Sequence, residues 1–92
     1  MTYQSLNPAT GKLLKKFEEL TDKELEIKIA TATACFETWR HKTYAERAVI
    51  VANASTIMDA KADEFAHTMT LEMGKRINEA RGEVEFSANI LI

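Results

Sequence analysis

The side chains able to do chemistry are few and widely spaced. The chain has one cysteine, Cys35, two histidines, His41 and His67, and a late carboxylate cluster at Glu79, Glu83 and Glu85 around Arg81. A nucleophilic thiolate needs an activating base or a helix N-terminus. Cys35 falls late in a predicted helix beside Phe36, where the dipole opposes an anion. It reads as structural. His41 and His67 stand far apart, with no second histidine at i+4 and no HExxH spacing, so a metal or catalytic pair is disfavoured. The Thr21/Glu24 and Thr43/Glu46 pairs match helix capping boxes better than acid–base dyads. Met58, Met69 and Met73 fall at core spacings rather than forming a binding groove. The Glu79–Glu85 cluster reads as a solvated helix face. No GxGxxG or phosphate loop is present. The residues supply no catalytic constellation of their own.

The elements that carry these residues follow from turn signals and periodicity. Asn7-Pro8-Ala9-Thr10-Gly11 is dense in turn chemistry, and the spacing predicts a hairpin over about 5–17, with Leu13 and Phe17 on one face. Thr21-Asp22-Lys23-Glu24 opens a helix over about 22–40, with Leu20 and Leu25 at staple positions. Its apolar stripe is Leu25, Ile29, Ala32, Phe36 and Trp39. Arg40, His41 and Lys42 suit its C-terminus. Thr43-Tyr44-Ala45-Glu46 opens a second helix over about 44–60, with Ala48, Val51, Ala54, Ile57 and Met58 near one stripe. The pattern weakens at Asp59–Asp63, which predicts a break. A third helix follows over about 62–73, with Phe65, Met69 and Met73, and Gly74 suits its C′ position. A fourth covers about 77–92, using Ile77, Ala80, Val84, Ala88 and Leu91. The expected fold is mainly α with a short N-terminal β-hairpin.

Ninety-two residues suffice for one small domain and not for two. A separate cofactor and substrate domain will not fit. Twelve basic residues against fourteen acidic give a net charge of −2, without a basic stripe. That disfavours nucleic acid as a partner. The apolar runs are too short for a membrane span and no secretion signal opens the chain. One cysteine excludes an internal disulfide. A cytoplasmic setting is expected. Thirteen alanines favour close helix packing but bring little apolar area. The closing Asn89-Ile90-Leu91-Ile92 lacks a cap or polar tail. Together these features read as a single incomplete segment, 1–92, of something larger.

Three stretches give that something a name. Asn7-Pro8-Ala9-Thr10-Gly11 with Lys12-Leu13-Leu14 is the first. Phe36-Glu37-Thr38-Trp39 leading to Ala45-Glu46-Arg47-Ala48 is the second. The third runs through Ala62-Asp63-Glu64-Phe65-Ala66, Thr70-Leu71-Glu72-Met73-Gly74-Lys75 and Glu79-Ala80-Arg81-Gly82-Glu83-Val84. In this order they resemble the N-terminus of the aldehyde dehydrogenase superfamily, and they are most similar to its succinate-semialdehyde dehydrogenase branch. The sequence departs at Arg76, where the family often has proline, and at Val51-Ala52-Asn53, where basic or larger residues are common.

The resemblance implies a parent enzyme that oxidises an aldehyde, such as succinate semialdehyde, to its acid with NAD or NADP. It implies that this chain resembles the N-terminal part of that enzyme's α/β cofactor-binding domain. The thiolate, the activating Glu and the cofactor motif would all lie beyond Ile92, and Cys35 does not match the catalytic motif. No catalytic or cofactor-binding residue is therefore expected here, and the isolated segment should be inactive and bind no cofactor. Its partners would be the rest of the parent chain, within a homo-oligomer. The resemblance also implies a monovalent-cation site, for which the Leu6 carbonyl and the Glu83 carboxylate match.

A free-standing helical interaction module is the rival from another class. A module should be monomeric with a sharp melt, whereas a segment with uncovered faces should self-associate or partly melt. A helix-turn-helix DNA binder is a third reading, weakened by the acidic balance.

Overall fold

The computed structural model describes residues 3–92, and its elements are set by local signals. Strands β1 (Tyr3–Leu6) and β2 (Leu13–Phe17) pair antiparallel, followed by helices α1 (Asp22–Trp39), α2 (Tyr44–Ala60), α3 (Ala62–Met73) and α4 (Ile77–Ile90). The hairpin starts at Tyr3, earlier than the turn residues alone suggest, because Tyr3 pairs with Phe17 at the far end of the arm. Its turn is closed by Gly11 N–H donating to the Asn7 carbonyl at 2.7 Å and by Ala9 N–H donating to Asn7 Oδ1 at 2.9 Å. Gly11 takes φ +71°, the left-handed conformation that glycine adopts without a Cβ penalty.

Both capping boxes form in full. Thr21 Oγ1 accepts from Glu24 N–H at 3.1 Å, and Glu24 Oε2 accepts from Thr21 N–H at 3.0 Å. Thr43 and Glu46 repeat the arrangement at 3.2 and 2.9 Å. Each box satisfies two amides that a helix start would otherwise leave unpaired. Thr43→Ala should cost about 1 kcal/mol, read as a lower urea midpoint. An unchanged midpoint would mean that α2 does not depend on its cap.

The break near 59–63 narrows to one residue. Lys61, at φ −109° and ψ 21°, ends α2 and begins α3. Gly74 ends α3 with φ 73°, its N–H donating to the Thr70 carbonyl at 3.0 Å. Arg76 precedes α4 with φ −60°, the angle a proline would impose, so its presence leaves the helix start intact. The last helix stops at Ile90 rather than 92, because Leu91 and Ile92 bond three residues back, to Ala88 and Asn89.

The packing is built from small side chains. Ala62, Ala66, Ala80, Val84, Ala88 and Ser55 are the buried residues among those described. They lie where α2 and α3 meet α4. Ser55 Oγ donates to the Ala88 carbonyl at 2.7 Å across the α2–α4 contact. A hydroxyl at such a contact is stable only because it has this acceptor.

The α2 stripe expected from periodicity is not the one that packs. Ala52, Ser55 and Met58 are its buried or half-buried members, while Val51 and Ile57 stay exposed. Alanine and serine permit the closer helix approach, so they displace the larger residues from the contact. On α3 the same substitution occurs: Ala62 and Ala66 are buried, Phe65 and Met69 half-buried, and Met73 is 74% exposed. On α4 the expected Ala80, Val84 and Ala88 are buried, whereas Ile77 is exposed.

No residue of α1 is buried. The hairpin has none either among its described residues. The molecule is a slab of 48 × 36 × 14 Å, roughly one to two helices thick. Its radius of gyration, 17.4 Å, exceeds the ~12 Å of a compact chain of this length.

Candidate functional site

Two side-chain contacts join the hairpin to the α3–α4 turn. Ser5 Oγ, on β1, donates to Glu72 Oε1, in the last turn of α3, at 2.8 Å. Gly74 lies against the Pro8 ring: a Cβ at Gly74 would stand 3.2 Å from Pro8 Cγ. The absence of a side chain there lets the hairpin turn sit directly on the helix end. One residue on, Lys75 Nζ forms an ion pair with Glu83 Oε2, one helical face along α4. Arg81 makes a second link, pairing with Asp63 at the start of α3 and with Glu85 at 3.4 Å. The Arg81 pairs are more than half exposed and the Lys75–Glu83 pair is a third to a half exposed, so each fixes geometry more than it adds stability.

Leu6, the first proposed cation donor, closes β1 where the strand register slips between Ser5 and Leu6. Glu83, the second, already has the Lys75 ammonium on its carboxylate. The residues that make this corner were only partly visible in sequence. Glu72, Gly74 and Lys75 belong to a recognisable motif, but the Ser5–Glu72 bond spans 67 positions and no local pattern announces it.

The other chemical candidates settle into structural roles. Cys35 is exposed on α1, and its carbonyl accepts from Thr38 Oγ1 at 3.1 Å. His41 lies in the α1–α2 turn, with its backbone N–H on the Thr38 carbonyl. His67 is exposed on α3. No group of three or more His, Cys, Asp or Glu able to hold a metal occurs among the described residues. The carboxylates of Glu24 and Glu46 are engaged in their caps and are not an acid–base pair. Arg47, a member of the second resembling stretch, donates through Nε and Nη2 to the Lys42 carbonyl at 3.2 and 3.0 Å. It therefore pins the α1–α2 corner. Two surface hollows, of about 420 and 350 Å³, lie around Glu18, Glu19 and Leu20, and neither brings a nucleophile and a base together. No described helix is long and apolar enough to cross a membrane.

The comparisons with known proteins agree with one another. The aldehyde dehydrogenase family model matches residues 1–92. The chain is 38% identical over 89 residues to the NADP(+) succinate-semialdehyde dehydrogenase of Deinococcus radiodurans, covering 97% of this chain and 19% of that protein. It is 40% identical over 83 residues to the enzyme of the same name from Mycobacterium leprae, covering 90% and 18%. Among solved structures, succinic semialdehyde dehydrogenase from Streptococcus pyogenes in complex with NADP+ superposes with a TM-score of 0.87 at 32% identity, over 97% of this chain and 20% of that one. The Burkholderia pseudomallei succinate-semialdehyde dehydrogenase gives 0.83 at 34% identity, over 96% and 18%. The chain thus spans about a fifth of the length of the relatives it matches.

Proposed function

The chain belongs to the aldehyde dehydrogenase family, and on that premise we propose that it is the N-terminal structural segment of an NADP-dependent succinate-semialdehyde dehydrogenase. The observation that carries this reading is the fit of nearly the whole chain onto one fifth of such enzymes in both sequence and fold. The overall reaction takes an aldehyde, NADP+ and water to a carboxylate, NADPH and protons. It needs a nucleophile, oxyanion donors and a base for the hydrolytic water. The described residues assemble no such set. The segment's own work is mechanical: its hairpin, pinned through Ser5–Glu72 and Pro8–Gly74, and its α2–α4 pack form a framework for the domain that receives the cofactor.

This reading is tested by turnover of the purified 92-residue chain. It should reduce no NADP+ with succinate semialdehyde, and reduction above background would overturn the reading. Cys35→Ser, introduced into a full-length enzyme carrying this segment, should leave kcat within about twofold, since removing a true nucleophile costs several orders of magnitude. A loss of a thousandfold would reassign Cys35 as the nucleophile.

The Leu6 carbonyl and Glu83 carboxylate are proposed as two donors to a monovalent cation in the full enzyme. Hard oxygen donors suit such an ion, and Lys75 would have to share or release Glu83. Rb+ soaked into crystals of a full-length enzyme carrying this segment should give an anomalous peak between the two groups. A blank map there would end the assignment.

A further inference from the structure

We infer that the Lys75 ammonium is a built-in counter-ion on Glu83, and that a monovalent cation reaches this carboxylate only by displacing it. This rests on the cation donors proposed above and adds what controls access to one of them. Lys75 Nζ is paired with Glu83 Oε2. The two side chains are 34% and 48% exposed, so an ion from solvent can approach the pair. Glu79 stands one turn earlier on α4, four residues before Glu83. Two like charges at that spacing repel, which favours a positive group beside them. The one cation that α4 itself carries, Arg81, is engaged with Asp63 and Glu85. Lys75, from the turn before the helix, supplies the charge instead.

The turn presents Lys75 so that its ammonium can leave without a change of backbone. Gly74, before it, has its N–H on the Thr70 carbonyl and lies against the Pro8 ring. Arg76, after it, is the N-cap residue of α4. The chain is therefore fixed on both sides of Lys75, and the freedom lies in its flexible four-carbon stem. An ammonium and a monovalent metal ion carry the same charge. Two such cations on one carboxylate would stand a few ångströms apart and repel, so they are alternative occupants. The same turn leaves an oxygen unengaged: Thr70 Oγ1 is buried and has no hydrogen-bond partner among the described residues. A hydroxyl oxygen is of the hard type that such ions accept.

The test uses crystals of a full-length enzyme carrying this segment, soaked over a series of Rb+ concentrations with choline making up the ionic strength. The anomalous peak at Glu83 gives the concentration for half-occupancy. Lys75→Met should lower that concentration about fivefold, the size expected when a partly exposed ion pair no longer competes. Lys75→Arg, which keeps the charge, should stay within about twofold of the parent. Glu83→Gln should remove the peak. In parent crystals with Rb+ bound, Lys75 Nζ should have left Glu83. Equal half-occupancy concentrations in the parent and Lys75→Met would overturn the inference and leave the cation donors standing. Rb+ and Lys75 together on Glu83 in one crystal would do the same. A peak in Lys75→Met alone would keep Lys75 as the occupant and remove the ion from the native segment. A blank map in the parent and in Lys75→Met would remove the donors, and the inference with them.

Discussion

Replacing Val84 with Asp should unfold the α2–α4 pack of the 92-residue chain. Val84 is 1% exposed, on the α4 face that also buries Ala80 and Ala88. None of the buried residues around that packing is a cation that could pair with a new carboxylate. An unpaired charge at such a position costs about 4 kcal/mol or more, through desolvation or through the protonation that avoids it. A whole domain has only about 5–15 kcal/mol in hand, and this segment, with a core mostly of alanines, has less. The expected result is loss of most of the cooperative urea transition followed by far-UV circular dichroism. Phe86→Asp, two residues away and 66% exposed, should leave the transition within about 0.5 kcal/mol of the parent. Equal effects at the two positions would mean that α4 does not present its Ala80–Val84–Ala88 face to the other helices.

Gly74→Ala should be the next most damaging change. Gly74 has φ 73° and ψ 17°, and an alanine there would be held in the left-handed region at a cost of roughly 1–2 kcal/mol. Its Cβ would also meet the Pro8 ring at 3.2 Å, so the hairpin turn would have to shift. For a chain of about this length, 1–2 kcal/mol corresponds to a fall in Tm of about 4–16 °C. The two contributions separate in a double variant. Adding Pro8→Gly should recover only the crowding part. Full recovery would show that the backbone angle carries no cost, and no loss from Gly74→Ala at all would contradict the turn described here.

These two positions also show what the sequence made legible. Gly74 stood out because a glycine after an apolar stripe is a helix stop. Thr21/Glu24 and Thr43/Glu46 stood out because a cap is a local arrangement within four residues. Element limits follow from such local chemistry, and the helices lie close to where those signals put them. The buried face of α2 was not legible. Periodicity weights large apolar residues, and it pointed to Val51 and Ile57. Packing against α4 instead selects Ala52 and Ser55, because the contact is set by how closely two backbones approach. The Ser55–Ala88 bond, like Ser5–Glu72, joins elements far apart in sequence and has no local signature. The family was legible for a different reason: several of its motif residues hold turns and corners, beside others within the helices. Pro8, Arg47 and Gly74 hold the hairpin, the α1–α2 junction and the α3–α4 turn, where few other residues meet the geometry.

The exposed stripe of α1 reconciles the periodicity with the structure. Leu25, Ile29 and Phe36 are spaced for burial, and the rest of this chain does not bury them.

As proposed above, this chain is an exchangeable structural segment of a succinate-semialdehyde dehydrogenase. The test is the steady-state rate of NADP+ reduction, with succinate semialdehyde as substrate, by a chimera in which this chain replaces the matched segment of the Deinococcus radiodurans enzyme. Turnover within about tenfold of the unmodified enzyme is expected, because the segment supplies framework and no reacting group. A folded chimera with no turnover above background would contradict it.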